Sequence, residues 1–365
     1  MQRVLIFGTG SGAQKALKTI DENYKVVGFV DNNSEKHHTQ FMGQIVYSPT
    51  EIFQLSWDVI VVCSVAYKTI RKQLIELGVV SEKIKNKNYF HLQKFLDKYE
   101  TEEYSGNYEV QEVIQYVKKN GLDIFNYDFC KLYEEDVLPI NVEFDSECGL
   151  YYVIYSGKKM YISRMYKTEK EVADYVRGIM KEQDSQSPHC YLTDDYKLKK
   201  GSVIVDAGVA EGNFSLENID EAKHIYMIES DDMWIEALEH TFAPYSDKVT
   251  IIKDYLCDHD GEGYCSLDNL LGEKKIDFIK MDIEGAEVSA LLGAIKILKN
   301  QAPMLDICAY HNEDDEGKIV TILKECGYST ECSKGYMVFL VGDSFQTTKV
   351  RSLVRGLVRG WKEKI

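Results

Sequence analysis

VIVDAGVAEGNF, residues 203–214, joins an apolar run to a glycine-bearing turn and then to the start of a helix. The run is too short for a buried helix and reads as a strand covered on both faces, as in a parallel α/β sheet. Its turn follows D-x-G-x-x-x-G from Asp206 to Gly212. Glycine at Gly208 and Gly212 lets backbone N–H groups approach a polar ligand at a helix N-terminus. The carboxylate of Asp206 accepts from the ammonium of an amino-acid-like ligand but repels a pyrophosphate. That acid favours S-adenosylmethionine over a dinucleotide, and Glu211 inside the turn either meets the same ammonium or favours the helix start.

Working downstream, HIYMIES ends in Glu229, 23 residues after Asp206. An acid at about that distance accepts from ribose hydroxyls. The third strand runs into KDYLCD, which offers Asp258 to an adenine. FIKMDIEGAE then places Asp282 and Glu284 at a strand's C-terminal end, where open α/β sheets bind ligands. Alternation sets Lys280 on the face of Asp282. Lys280 is expected to serve the substrate, with an ion pair to Asp282 or Glu284 as the plainer reading. The fifth strand, MLDICAYH, ends at His311, whose ordinary pKa near 6.5 suits removal of a hydroxyl proton. His311 is the first candidate base, Asp282 the second. The favoured reading needs no metal; in the alternative, Asp282, Glu284 and His311 hold a divalent cation such as Mg²⁺.

Upstream, a second βα series occupies residues 1–100. RVLIFGTGSGA fits G-x-G-x-x-A, and Gly8, Gly10 and Asp31 form a candidate nucleotide site. Taken alone, that series suggests an NAD-dependent sugar-nucleotide oxidoreductase or epimerase, but no Tyr-x-x-x-Lys pair stands in a convincing position. Residues 101–139 read as a helical linker, with Gly121 stopping NYEVQEVIQYVKKNG. Residues 140–200 read as a β-hairpin turning at Ser156-Gly157 and a helical approach to the site. The second α/β domain spans residues 201–342. In residues 345–365, six basic residues stand against one Glu, and apolar residues at helical spacing predict a basic amphipathic helix over 343–365. Such a helix suits peripheral contact with an anionic inner leaflet or packing on another subunit.

The 365 residues carry a formal charge of −16, which argues against general nucleic-acid binding, since that needs Lys and Arg to displace counterions. No apolar run is long enough for a membrane span, and the N-terminus moves directly into a strand and glycine pattern, so a cytoplasmic protein is expected. Nine cysteines without a CxxC pair read as reduced thiols.

Together, VDAGVAEGNF, IES, CSLDNLL, FIKMDIEGAE and AYHNEDDE resemble the FkbM family of methyltransferases, over about residues 150–340. The resemblance implies a seven-stranded Rossmann-like methyltransferase domain, so the expected fold is α/β with two tandem Rossmann-like domains. It also implies S-adenosylmethionine as cofactor and O-methylation of a sugar, nucleotide-sugar or glycan precursor, in surface polysaccharide biosynthesis. Carried over, Asp206, Gly208 and Gly212 would hold the methionine moiety, Glu229 the ribose, and Asp282 with Glu284 the reaction edge. Val209-Ala210-Glu211 departs from the small uncharged run of many members. EQDSQSPHCY is similar to the approach segment of some members, making Gln183, Ser187 and His189 substrate-side or cofactor-covering candidates. GFVDNN, GQIVYSPTEI and VIVVCS resemble the small nucleotide-sugar-binding domains that precede polysaccharide-modifying enzymes. A homo-oligomer is expected, and a non-catalytic assembly protein is the remaining alternative.

Overall fold

The computed structural model describes residues 1–339 and 352–362. The chain forms two units, one of residues 1–126 with 338–352 and one of residues 127–337 with 353–365. The helix Tyr108–Asn120, placed in a linker by the sequence reading, belongs to the first unit. Its buried stripe of Val110, Val113, Ile114 and Val117 explains why, because a helix with one apolar face must cover it. Gly121 ends it at φ +91.

In the first unit, the strands run in the order Gln40–Phe41, Gln44–Tyr47, Tyr24–Val30, Gln2–Phe7, Val59–Val62, Ile84–Asn86. All neighbours are parallel except the first pair. Val4, Leu5, Ile6 and Val59 to Val62 are buried on both faces, which is why these strands are continuous apolar runs. The close approach of helix to strand falls on Gly12, where a Cβ would lie 2.7 Å from the Cys63 carbonyl oxygen. Gly10 has open space around it.

The second unit is built on a seven-stranded sheet. We number its strands β1 (Val203–Ala207), β2 (His224–Ile228), β3 (Val249–Ile252), β4 (Phe278–Met281), β5 (Met304–Cys308), β6 (Ser329–Cys332) and β7 (Leu357–Trp361). Their order is β3-β2-β1-β4-β5-β7-β6. The first five are parallel, and β7 runs antiparallel between β5 and β6. The strand order reverses between β1 and β4, so a crevice opens at their C-terminal ends. One core lies on each face, with Val205, Ile279, Met281 and Ile307 in one and Ile204, Phe214, Met227 and Phe278 in the other.

The described part of the C-terminal segment is not a helix. Of residues 343–365, those described include the strands Ser352–Val354 and Leu357–Trp361; 343–351 and 363–365 lie outside the described residues. Leu357 and Val358, adjacent in sequence, are both fully buried because β7 is covered on both faces. A short apolar run of this kind has no period that separates strand from helix. Gly356 and Gly360 decide the matter. A Cβ at Gly356 would lie 2.2 Å from the Pro188 carbonyl oxygen, and one at Gly360 would press on Leu305, Leu323 and Tyr328. Arg359 lies opposite Asp306 in the β5–β7 register and donates to the Cys190 carbonyl at 2.7 Å.

Ahead of the sheet, Leu150–Tyr155 and Lys158–Ile162 form a hairpin. Its turn residues Ser156 and Gly157 have φ of +48 and +75, the positive pair that a two-residue turn requires. The helix Glu169–Glu182 follows, started by a capping box of Thr168 and Glu171. Its buried Val172, Val176 and Ile179 fix its rotation and bring Tyr175 to Glu211 of the glycine turn.

Candidate active site

The crevice at the ends of β1, β2, β4 and β5 gathers the predicted residues from four separate chain segments. Asp206 is the fourth residue of β1 and wholly buried. Ser215 donates to its Oδ2 at 2.6 Å, and the Lys280 ammonium lies 3.0 Å from Oδ1 at an angle too poor for a hydrogen bond. Lys280 instead donates to the Gly208 carbonyl at 2.5 Å and sits over the Tyr191 ring. Its charge is therefore committed to the β1 turn, with Asp206 rather than Asp282 or Glu284 as its ion-pair partner. Burial opposes that charge, but Asp206 and Asp282 more than compensate and raise the Lys280 pKa.

The turn itself is held from both sides. Gly208 has φ +74, and a Cβ there would lie 1.6 Å from the Asp282 carbonyl oxygen. The glycine turn and the DIEG turn are thus in backbone contact. Glu229, buried at the end of β2, accepts from the Ala210 N–H at 2.9 Å and the Asp231 N–H at 2.8 Å. One backbone donor to each oxygen fixes the carboxylate yet leaves lone pairs on both. Glu211 is buried and accepts from the Tyr175 hydroxyl. Burial pushes its pKa up to about 7, against the opposing pull of Tyr175 and Lys280.

Asp282 is the centre of the polar network. Tyr191 donates to its Oδ2 at 2.8 Å and Tyr310 to Oδ1 at 3.4 Å. His189 Nε2 lies 3.7 Å from Oδ2 and His311 Nε2 3.5 Å from Oδ1. Burial would raise the Asp282 pKa, yet His189, Lys280 and His311 bring it down to about 2. Burial lowers His189 to about 4, leaving it neutral near pH 7. His311 goes the other way: burial disfavours its charge, but Glu287, Asp282 and Glu284 outweigh burial and raise its pKa. Glu284 has φ +55, a conformation costly for a side-chain-bearing residue. Asn312 supports that turn by donating to the Gly285 carbonyl at 2.9 Å.

The other candidates scatter. Gln183 accepts from the Tyr191 N–H at 3.1 Å, and Ser187 Oγ accepts from the His189 N–H at 3.1 Å, so both shape the segment that carries Tyr191. Asp258 is exposed and paired with its neighbour His259 at 2.8 Å. In the first unit, Asp31 accepts from Thr9 at 2.5 Å and pairs with Lys36 at 3.1 Å. Sequence reasoning passed over Tyr175, Tyr191, Tyr310 and Glu287. The tyrosines carried no spacing signal, being three among 25 in the chain. Glu287 stood at the end of DIEGAE, where its distance from His311 in sequence hid the contact.

Sheet order, glycine turn and carboxylate after β2 together define a Rossmann-like methyltransferase fold. Residues 264–330, which contain β4, the DIEGAE turn and β5, match the family profile "Methyltransferase FkbM domain". Residues 1–85 match "C2185-like, N-terminal". Among solved structures, the chain is similar to the methyltransferase FkbM from Methylobacillus flagellatus KT, at 16% identity over 99% of this chain and 90% of that one, with a TM-score of 0.48. It is similar over 46% of its length to precorrin-6y C5,15-methyltransferase from Geobacter metallireducens GS-15, covering 82% of that chain at 18% identity and a TM-score of 0.33. A 21% share is similar to UDP-D-quinovosamine 4-dehydrogenase from Vibrio fischeri, covering 73% of that chain at 29% identity and a TM-score of 0.19. No protein of curated function matches the chain.

Proposed function

We propose that the second unit methylates a hydroxyl group using S-adenosylmethionine. The observation that carries this reading is the backbone contact of Gly208 with Asp282, which sets a turn suited to the cofactor directly against the turn that bears the reactive side chains. The residues fit the group. Asp206 Oδ1 is buried without a hydrogen-bond partner among the described residues, and Glu229 has free lone pairs on both oxygens. Asp206 and the Gly208–Gly212 turn would hold the amino-acid end, and Glu229 the ribose. Bound S-adenosylmethionine supplies an electrophilic sulfonium methyl group.

The chain supplies orientation and proton removal. His311 Nε2, facing the space between Asp282 and Glu284, takes the proton of the attacking hydroxyl. Asp282 stays ionised and steadies the cation formed on His311. The acceptor in this reading is a sugar, nucleotide-sugar or glycan precursor. Its support is the resemblance of residues 150–340 to FkbM methyltransferases and of GFVDNN, GQIVYSPTEI and VIVVCS to small nucleotide-sugar-binding domains, together with the glycine turn and Asp31 of the first unit.

Calorimetric titration with S-adenosylmethionine and S-adenosylhomocysteine tests the proposal. Both are expected to bind, and Glu229→Ala is expected to weaken binding at least about tenfold, the loss of one good polar partner. Absence of heat from both ligands would overturn it.

A further inference from the structure

Glu287 is the first residue of the helix Glu287–Leu292, and its side chain is completely buried. A carboxylate at a helix start is ordinarily a surface feature, since the helix end needs only one of its oxygens and water solvates the rest. Burying one is costly unless it is paired. Here Oε1 accepts from the Ile283 N–H at 2.9 Å and lies at ion-pair distance, 2.9 Å, from His311 Nδ1. Oε2 has no hydrogen-bond partner among the described residues. The imidazole is thus the one ionisable side chain within ion-pair distance of Glu287 among the described residues.

The opposite ring nitrogen faces elsewhere. His311 Nε2 is 3.5 Å from Asp282 and 3.7 Å from the exposed Glu284. The Tyr310 ring lies against the imidazole, with centroids 4.1 Å apart. A histidine acts as a base through one nitrogen, and what the other nitrogen meets sets both tautomer and orientation.

We infer that Glu287 is a positioning residue for His311, holding the proton on Nδ1 and turning Nε2 to the acceptor side of the crevice. This rests on the assignment of His311 as the base. Asp282, Glu287 and His311 also lie close enough together to surround a metal ion. The geometry speaks against that use, because the two carboxylates face different ring nitrogens and one imidazole cannot offer both to a single ion.

The test is long-range ¹H–¹⁵N spectroscopy of the histidine rings in the full chain, recorded on the alkaline side of the His311 titration. The His311 signals are assigned by their loss in His311→Gln. The wild-type ring is expected in the Nδ1–H form, and Glu287→Gln and Glu287→Leu are expected to shift it toward a mixture of the two neutral forms. A wild-type ring in the Nε2–H form would overturn the inference, whether or not the variants fold. So would unchanged ring signals in folded variants, or selective broadening of His311 by Mn²⁺. None of these readouts needs a bound cofactor. Failure of S-adenosylmethionine to bind would sink the proposed function while leaving the role of Glu287 decided by the spectra.

Discussion

Lys280 and Asp206 form an ion pair inside the sheet, 3.0 Å apart, with side chains 4% and 1% exposed. They are neighbours in the β1–β4 register, so the two strands that flank the crevice are tied together at its floor. Removing one partner of a buried pair strands the other charge, at a cost of about 3–5 kcal/mol. Lys280→Met is expected to lose stability of that order in urea denaturation. The double variant Lys280→Met/Asp206→Leu is expected to recover most of it, since no isolated charge remains. A single variant within about 1 kcal/mol of wild type would show that the pair does not carry this weight.

Contact between the two turns at Gly208 yields a sharper contrast. Alanine there would place its Cβ 1.6 Å from backbone and force a positive φ on a residue with a side chain. Gly208→Ala is expected to abolish S-adenosylmethionine binding in calorimetry and to lower the melting temperature. Gly10→Ala, in open space within the other glycine turn, is expected to leave stability within about 0.5 kcal/mol. Equal behaviour of the two variants would refute the structural distinction between them.

That contrast also marks what could be read from sequence. The strand, turn and helix around Asp206, the acid Glu229 and the ends of β4 and β5 were legible, because apolar runs and glycine spacing are local signals. The partner of Lys280 was not. Alternation set Lys280 on the face of Asp282 as a reading, but the neighbouring strand supplied Asp206 as its partner, and strand order is not encoded in any one segment. The network of Tyr191, Tyr310 and His189 around Asp282 was hidden for the same reason. The C-terminal segment failed differently: its apolar spacing suited a helix, and the two glycines that weaken a helix were a usable sign of close packing.

The raised pKa of His311 has consequences of opposite sign for activity and stability. The base form predominates only above the folded-state pKa, so methyl transfer is expected to accelerate as pH rises through a value above the ordinary 6.5. Charge on His311 is favoured in the folded protein. Its stabilising contribution is therefore fully present below the unfolded pKa and lost as pH rises through the folded one. Melting curves of wild type and His311→Gln from about pH 5 to about pH 9 check this, because the variant cannot lose what it never had. A stability difference between the two that is flat across that window, or that grows with pH, would contradict the direction of the shift.

The strand β7 makes the last described segment part of the fold rather than an appendage. It pairs with both β5 and β6, and Leu357 and Val358 are wholly buried on opposite faces. Arg359 brings a cation within 3.4 Å of Asp306, which has no hydrogen-bond partner for either oxygen among the described residues and whose pKa burial drives upward. Ending the chain after Phe339 would expose β5 and β6 along their inner edges and leave that carboxylate without its cation. Each of the two apolar side chains contributes about 1.5–3 kcal/mol by burial, and loss of the ladder adds to this. Such a truncated protein is expected to aggregate or to lack a cooperative melt. Val358→Asp is expected to do the same, because it buries an unpaired charge in the apolar core opposite Ile307, whereas Ser352→Ala, on a half-buried residue outside the seven-stranded sheet, is expected to melt like wild type. Thermal unfolding followed by circular dichroism distinguishes these outcomes. A cooperative, unshifted melt after truncation would mean that β5 and β6 stand without β7.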